Sequence, residues 1–579
     1  MYLLGIHNGV HDASACLFRD YEWLAAVSQE RLTRRKNDGV AVAEELPLAA
    51  IDECLAIAGI SRGDVDVVCA TRSQFEMQSF TLRGKMWARQ QYARLMGKKR
   101  LYQMTYMMRK QSTKEAMRVF DAPAFRRRHG FAKAELYFCN HHFAHGIPAY
   151  FFSDYDDALI YTADGFGDDV AYSARTAKDG RIDLVFGGDE NLNLPMKVNS
   201  VGLLYNMFTE ALGFVVNRHE GKLTGLSAFG EAKAGDELIA HFSVDERGEA
   251  ATDYPNYPAM QDHAFAICKR RSREDAAASV QAATEHVVCR AIETLVRNTG
   301  LTSLALGGGV FSNVRLNRAV LETTAAKRVF IFPAMGDEGL PVGACLLYLY
   351  ERDGAAHWSA QRYRLTQLYF GRNHDADFGG AASRHREIVA DHERPIEKAV
   401  DALIDGEVVA IYTDRMEFGP RALGARSILA SPVRREVNDT INKRLNRSEF
   451  MPFAPVVLAE HVASIFDIHD GNAHAARFMT ITCAVRPEWR DRIPAVVHVD
   501  GSARPQIIDG DDLPLYRQVL ERFYKRTGLP VLVNTSFNVH EEPIVDTPEQ
   551  ALTALLDRRI DRILTGEALY RLDPGLTRP

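Results

Sequence analysis

Three short apolar runs open the chain, Tyr2 to His7, Ala13 to Arg19 and Trp23 to Ser28, and the turn between the first two reads His-Asn-Gly-Val-His-Asp. This alternation predicts a three-strand meander at the start of a domain. The pattern returns at mid-chain: an apolar strand from Ala158 to Ala163, a turn from Asp164 to Asp169, and a strand from Val170 to Arg175. Two copies of strand, acidic or His-bearing turn, and strand predict a duplicated α/β fold with a nucleotide cleft between its halves.

Helical periodicity then covers Val201 to Leu212 and Ala276 to Asn298, the latter closed by Gly300. A strand from Ser303 to Leu306 runs into Gly307-Gly308-Gly309 and a helix from Phe311. A second, Arg328 to Phe332, feeds the loop Pro333 to Gly339 and a helix from Leu340 to about Tyr350. Such strand, glycine turn and helix units aim backbone N–H groups and a helix dipole where phosphate can meet them. From Glu351 to about Asp377 the sequence is polar without sustained periodicity and reads as a linker. Beyond it strand and helix alternate: Val408 to Thr413, Val437 to Leu445, Phe478 to Val485, Leu515 to Arg526 closed by Gly528, and Val531 to Asn534. The expected organisation is a first domain over residues 1–355, a linker over 356–377 and a second α/β domain over 378–579.

A length of 579 residues exceeds what one hydrophobic core supports, in agreement with two domains. The net charge of -6, spread along most of the chain, gives no global reason to bind nucleic acid. One segment departs from this: Arg83 to Arg128 is basic, with Glu115 and Asp121 as its acidic residues. It reads as a solvated helical insertion, with contact to an anionic or lipid-linked acceptor as the alternative. The eight cysteines are scattered without a C-x-x-C pair and read as reduced thiols. With no basic n-region and no membrane-length apolar stretch, the expected location is the cytoplasm.

His141 and His145 lie four residues apart, a spacing that stacks two imidazoles on one helix face, as a divalent metal site needs. An incidental pair is the alternative. Asp164 and Asp337 each occupy a glycine-flanked turn, where a carboxylate can project into a cleft or simply cap the turn. Together, two His and two carboxylates suit Fe, Mn or Zn. There is no P-loop signature. Gly307, Gly308 and Gly309 with Asn313 are the candidate nucleotide loop of the first domain, unless the glycines serve only close strand-to-helix packing. In the second domain the loop Gly419 to Ser427 offers Arg421 and Arg426, whose guanidinium forks suit phosphate or carbamoyl phosphate oxygens. Arg504 and the turn Asn534 to Asn538 add donors for the same anion, though each could be structural.

These motifs resemble, nearly end to end, the O-carbamoyltransferase family that includes the nodulation-factor, tobramycin and cephamycin carbamoyltransferases. The resemblance rests on His11-Asp12-Ala-Ser-Ala, Gln29 to Lys36, His141 to His145, Asp164-Gly165, Glu220-Gly-Lys222, the triple glycine, Met335 to Gly339, Gly419 to Ser427, Phe450 to Pro455 and Asn534 to Asn538. It implies a first domain of the actin-like ATPase (ASKHA) class, similar to the universal tRNA threonylcarbamoyl transferase, and a YrdC-like second domain. In such enzymes the second domain converts carbamoyl phosphate and ATP, with Mg2+, to carbamoyl-adenylate and pyrophosphate. The first domain then transfers the carbamoyl group to an acceptor hydroxyl. By position His141, His145, Asp164 and Asp337 match the metal ligands, usually iron, and His11 matches a histidine near the transferred group, where it is a candidate general base. Lys36, Gly307 to Gly309 and Asn313 are the implied nucleotide contacts of the first domain. Arg421, Lys443, Arg447, Arg504, Asn534 and Ser536 are those of the second for carbamoyl phosphate and ATP.

Two departures stand out: Leu445 and Met451 replace basic positions found in many relatives, and His540-Glu-Glu-Pro543 lacks a glycine before the Pro. Both are more similar to the nodulation-protein branch and point to a carbohydrate or glycolipid acceptor, within the wider expectation of a small-molecule or glycan acceptor. A homodimer is compatible with the resemblance. The rival readings are a tRNA-modifying transferase and a non-catalytic nucleotide-sensing scaffold.

Overall fold

The computed structural model describes residues 1–40, 45–71, 120–191, 197–446, 452–510 and 512–575, together with Phe75, Ser79, Trp87, Ala88 and Leu95. Most of the basic segment from Arg83 lies outside the described residues, as do Arg447 and Met451; its end forms a helix, Ala122–His129.

The opening meander is present as β1 (Tyr2–His7), β2 (Ser14–Arg19) and β3 (Glu22–Ser28), followed by a short helix α1 (Gln29–Thr33). With β4 (Val67–Thr71) and β5 (Glu135–Cys139) they form a sheet of order β3-β2-β1-β4-β5, antiparallel within the meander and parallel from β1 to β5. Helix α2 (His141–Phe151) leaves β5 and leads to a second meander, β6 (Ala158–Gly167), β7 (Val170–Lys178) and β8 (Arg181–Phe186). Together with β9 (Ser303–Gly307) and β10 (Arg328–Ile331), it repeats the same order and the same strand directions, β8-β7-β6-β9-β10. The first part of the chain is therefore the duplicated, actin-like α/β architecture, two sheets of the same topology.

Helix α3 (Leu340–Asp353) locks the copies together. Its Gly343 meets α2 so closely that a Cβ there would lie 1.9 Å from the Ala144 carbonyl oxygen, and a Cβ on Gly5 of β1 would lie 2.2 Å from that of Pro341. Only residues without a side chain permit such contact between backbones.

The stretch read as a linker is instead built into the structure. It contains a helix (Ala355–Ala360), a strand (Tyr369–Asn373) and a further helix (Asp375–Ala382), and that strand pairs with Arg415–Glu417. Trp358 is fully buried, and Phe370 stacks on Trp23 of β3 with ring centroids 3.9 Å apart. The second part of the chain holds an eight-stranded mixed sheet. From its middle to one edge the strands are, in order, Val409–Tyr412, Arg426–Ala430, Val531–Ser536, Ala454–Leu458 and Gln506–Ile508. The strand expected over Phe478 to Val485 shrinks to Cys483–Ala484. Met479 takes a left-handed conformation (φ 57°), and the hydroxyls of Thr480 and Thr482 donate to the carbonyls of Ala475 and Val314 rather than flanking a regular ladder. All eight cysteines are free thiols. Among the described residues no helix is long and apolar enough to cross a membrane.

Candidate metal centre and anion site

Helix α2 starts at Asn140, whose side chain accepts the Phe143 N–H (2.9 Å), while Asp168 accepts the His141 N–H (2.7 Å). With the first turn fixed, the i,i+4 spacing brings the His141 and His145 Nε2 atoms to 3.0 Å. The intervening His142 faces away, buried between the Thr162 hydroxyl (2.8 Å) and the Val170 carbonyl (3.0 Å). Burial, helped by the neighbouring His141, pushes its pKa down to about 3, which keeps it neutral.

Asp164 lies on β6 rather than in the expected turn. The β6–β7 register shifts between Ala163 and Gly167, and the reversal falls on Asp168 and Asp169, both at positive φ. The bulge releases Asp164 from the ladder toward the His141 and His145 imidazoles. Its Oδ1 accepts the N–H groups of Gly165 (2.7 Å) and Gly309 (3.3 Å), leaving Oδ2 at 3.1 Å from His141 Nε2 and 3.3 Å from His145 Nε2. Asp337, from the loop between β10 and α3, places Oδ1 at 3.6 and 3.3 Å from the same two nitrogens. The four donor atoms all lie within 4.8 Å of one another.

This donor set fits a divalent cation: two imidazoles and two carboxylates from three separate elements converge on one point. Burial opposes charge on Asp164, but its hydrogen bonds with His141 and His145 outweigh that and hold it well below the usual carboxylate range. Asp337 is likewise held far down despite burial, by the charge of His7 and by the closeness of the His145 and His7 nitrogens to its two oxygens. Burial also opposes protonation of His145, yet its bonds to the two carboxylates raise it to about 10. These shifts favour positive charge among the four donors, which a divalent cation would supply.

His11 lies beside this centre. Its Nδ1 is 3.0 Å from Asp12 Oδ2, and that bond, aided by the charges of Asp337 and Asp164 against the cost of burial, raises its pKa to about 9. Asp12 takes the left-handed region (φ 54°) and its other oxygen accepts from Asn37 (2.6 Å). Glu338 is pushed up to about 8 by burial and by the charge of Asp12.

The glycine triplet divides its work. A Cβ on Gly307 would meet the His145 carbonyl oxygen at 2.2 Å, and one on Gly308 that of Ala163 at 2.3 Å, so both serve close packing behind the centre. Gly309 contributes the N–H that orients Asp164. Asn313 caps the helix Val314–Thr323 through Leu316 N–H and pairs with Gln281 (2.8 Å). Lys36 is half-buried, its carbonyl receiving Arg218.

In the second part, strand register places most of the anion candidates at one end of the sheet. Arg426–Ala430 and Val531–Ser536 are antiparallel with Ser427 opposite Ser536; Ala454–Leu458 runs antiparallel to Val531–Ser536 and parallel to Gln506–Ile508. The loop bearing Arg421, the end of the strand carrying Asn534 and Ser536, and Arg504 just ahead of Gln506 therefore share one end of the sheet. Asn534 donates to the Ala422 carbonyl (3.1 Å) and to Gln506 (2.6 Å), and Gln506 to Leu423 (2.5 Å), which ties the Arg421 loop down. Arg421, Arg504 and Ser536 are half-buried, and Lys443 is exposed in the last turn of Glu436–Arg444. Arg426 is different from the phosphate fork read in the sequence. It is fully buried, stacked 3.7 Å over Tyr412, with Nη1 donating to the carbonyls of Thr413 (2.7 Å) and Ala425 (3.0 Å).

Sequence reasoning missed how the Gln29 to Lys36 segment works. Arg31 donates to the Gly419 carbonyl (2.8 Å), and Arg34 to those of Pro543 and Ile544 (2.7 Å each), so these arginines fasten the first part of the chain to the second.

Comparison with known proteins identifies the family. A family model described as carbamoyltransferase N-terminus matches residues 2–346, and one described as carbamoyltransferase C-terminus matches 400–571. Nodulation protein NolNO of Sinorhizobium fredii is 30% identical over 577 residues, covering 97% of this chain and 79% of that protein. Nodulation protein NolO of Bradyrhizobium diazoefficiens is 32% identical over 451 residues, covering 75% and 79%. An uncharacterized protein of Synechocystis is 31% identical over 623 residues, covering 97% and 95%. Among solved structures, HypF of T. kodakarensis is similar at a TM-score of 0.32 and 14% identity, over 61% of this chain and 48% of that one. The chain belongs to the carbamoyltransferase family, in the branch of the nodulation proteins, and is an enzyme of carbamoyl transfer.

Proposed function

We propose that the chain is an ATP-dependent O-carbamoyltransferase that works through carbamoyl-adenylate and delivers the carbamoyl group to a hydroxyl of a small-molecule or glycan acceptor. The observation that carries this reading is the convergence of His141, His145, Asp164 and Asp337 beside His11, in a chain whose second part brings Arg421, Arg504, Asn534 and Ser536 to one end of its sheet.

In the second part, water releases orthophosphate from carbamoyl phosphate, and the resulting carbamate oxygen attacks the α-phosphorus of ATP, displacing pyrophosphate. Arg421 and Arg504 neutralise the phosphate charge while Ser536 and the loop held by Asn534 orient it. In the first part the acceptor oxygen attacks the carbamoyl carbon and AMP leaves. Asp12 holds His11 through Nδ1 and favours its imidazolium, so His11 acts as general base from its deprotonated fraction, which grows as pH rises toward 9, with Nε2 taking the hydroxyl proton. His141, His145, Asp164 and Asp337 would hold a divalent cation, which when bound supplies Lewis acidity and a template for anionic oxygens.

The test is pyrophosphate release from ATP by the purified chain before any acceptor is added. Release that requires carbamoyl phosphate and is lost in Arg504→Ala is the expected result. A folded chain that releases none would overturn the adenylate route.

A further inference from the structure

His7 ends β1 and is 2% exposed, yet neither ring nitrogen makes a hydrogen bond of good geometry to the described residues. Leaving a buried polar group unsatisfied costs about 1–3 kcal/mol, so its position calls for a reason. That reason lies 3.4 Å away, where Nε2 faces Oδ2 of Asp337. The other oxygen of the same carboxylate, Oδ1, faces the His141 and His145 nitrogens. His7 is not one of the four groups that share a common point, so its direction is that of a support behind a ligand. The ring folds back over Gly9, where a Cβ would lie 2.3 Å from Nε2, and any side chain at that position would push the imidazole off Asp337. Gly9 is itself tied down, its carbonyl accepting the Val40 N–H (2.8 Å). The turn that seats His7 is the turn that carries His11.

We propose that His7 is a positioning residue for the metal centre, its Nε2–H holding Asp337 Oδ2 so that Oδ1 is presented to a divalent cation shared with His141, His145 and Asp164. The inference rests on the metal-centre part of the function proposed above. A carboxylate that spends one oxygen on a buried N–H donor loses rotational freedom before the cation arrives, which raises affinity without adding a ligand. His7 also makes the orientation of Asp337 depend on the His11 turn, so the two parts of the transfer site move as one.

The experiment titrates Co2+ alone into the full chain and follows its visible absorption, for the wild type, His7→Phe, His7→Gln and Gly9→Ala, with His145→Ala as the site control. His7→Phe keeps the ring volume but removes the donor, and its affinity falls about 10–100-fold. His7→Gln, which retains an N–H, recovers part of that loss, and Gly9→Ala, which displaces the ring without touching a ligand, reproduces the fall. Should His7→Phe fail to fold, Gly9→Ala and His7→Gln carry the comparison. Wild-type affinity within twofold in His7→Phe or Gly9→Ala, or equal losses in Phe and Gln variants, would overturn the positioning role while leaving the centre intact. A wild type with no Co2+ site that His145→Ala abolishes would overturn the metal centre itself, and pyrophosphate release tests the adenylate reading independently.

Discussion

His474 reports on the seam between the two parts of the chain. It sits on the helix Ala473–Arg477 of the second part, where Nε2 donates to the Leu365 carbonyl (2.9 Å) and the ring stacks on Phe330 of β10 at 4.0 Å and 12°. Burial, reinforced by the charge of Arg364, pushes its pKa down to about 4. The unfolded chain takes up this proton below the reference pKa of about 6.5, whereas the folded chain does so only near 4, so the folded state loses ground as pH falls through that interval. At about 1.4 kcal/mol for each tenfold change, the loss is about 2 kcal/mol at pH 5 and about 3 kcal/mol at pH 4. His474→Phe removes this dependence but strands the Leu365 carbonyl, at about 1–2 kcal/mol. The variant is therefore less stable than the wild type at pH 8 and equal to it or more stable at pH 5. Thermal unfolding midpoints of both chains from pH 8 to pH 4.5, at fixed ionic strength, measure the interval between them. An interval that stays constant across that range would refute the buried, neutral imidazole.

Two further predictions concern the centre. Gly343→Ala drives a methyl group into the Ala144 carbonyl and forces α2 from α3, so we expect a loss of about 1–3 kcal/mol and weaker cation binding, read by melting and by Co2+ titration. Because the two carboxylates raise His145 to about 10, cation binding at neutral pH expels a proton and weakens as pH falls; calorimetry in buffers of different ionisation heat should count at least one proton released, and none would remove His145 from the ligand set.

The repeated meander was legible because period-2 alternation and turn residues are local signals. So was the proximity of His141 to His145, which follows from helix geometry alone. Asp164 was placed in a turn because a bulge leaves no mark in composition; only the shifted β6–β7 register shows why the carboxylate leaves the ladder. The stretch read as a linker hides Trp358, Leu365, Leu368 and Phe370, whose irregular spacing matches neither period and whose burial comes wholly from tertiary contacts. Arginines were the hardest to read. Arg426 turned inward to carbonyls and an aromatic ring, and Arg31 and Arg34 reached the second part, while nothing in their sequence neighbourhood separates these fates from phosphate binding. His7 offered only its distance of four from His11.

The fastening by Arg31 and Arg34 has a consequence for how the proposed intermediate survives. Both guanidinium groups grip neutral carbonyl dipoles at short range, with Arg31 2% exposed, so the joint does not dissolve with rising salt as an exposed ion pair does. A mixed anhydride of carbamate and AMP is lost to water whenever it escapes. A joint that holds at cellular ionic strength keeps the two parts at one separation, so the proposed anhydride would have a fixed distance to travel from where it forms to where it is used.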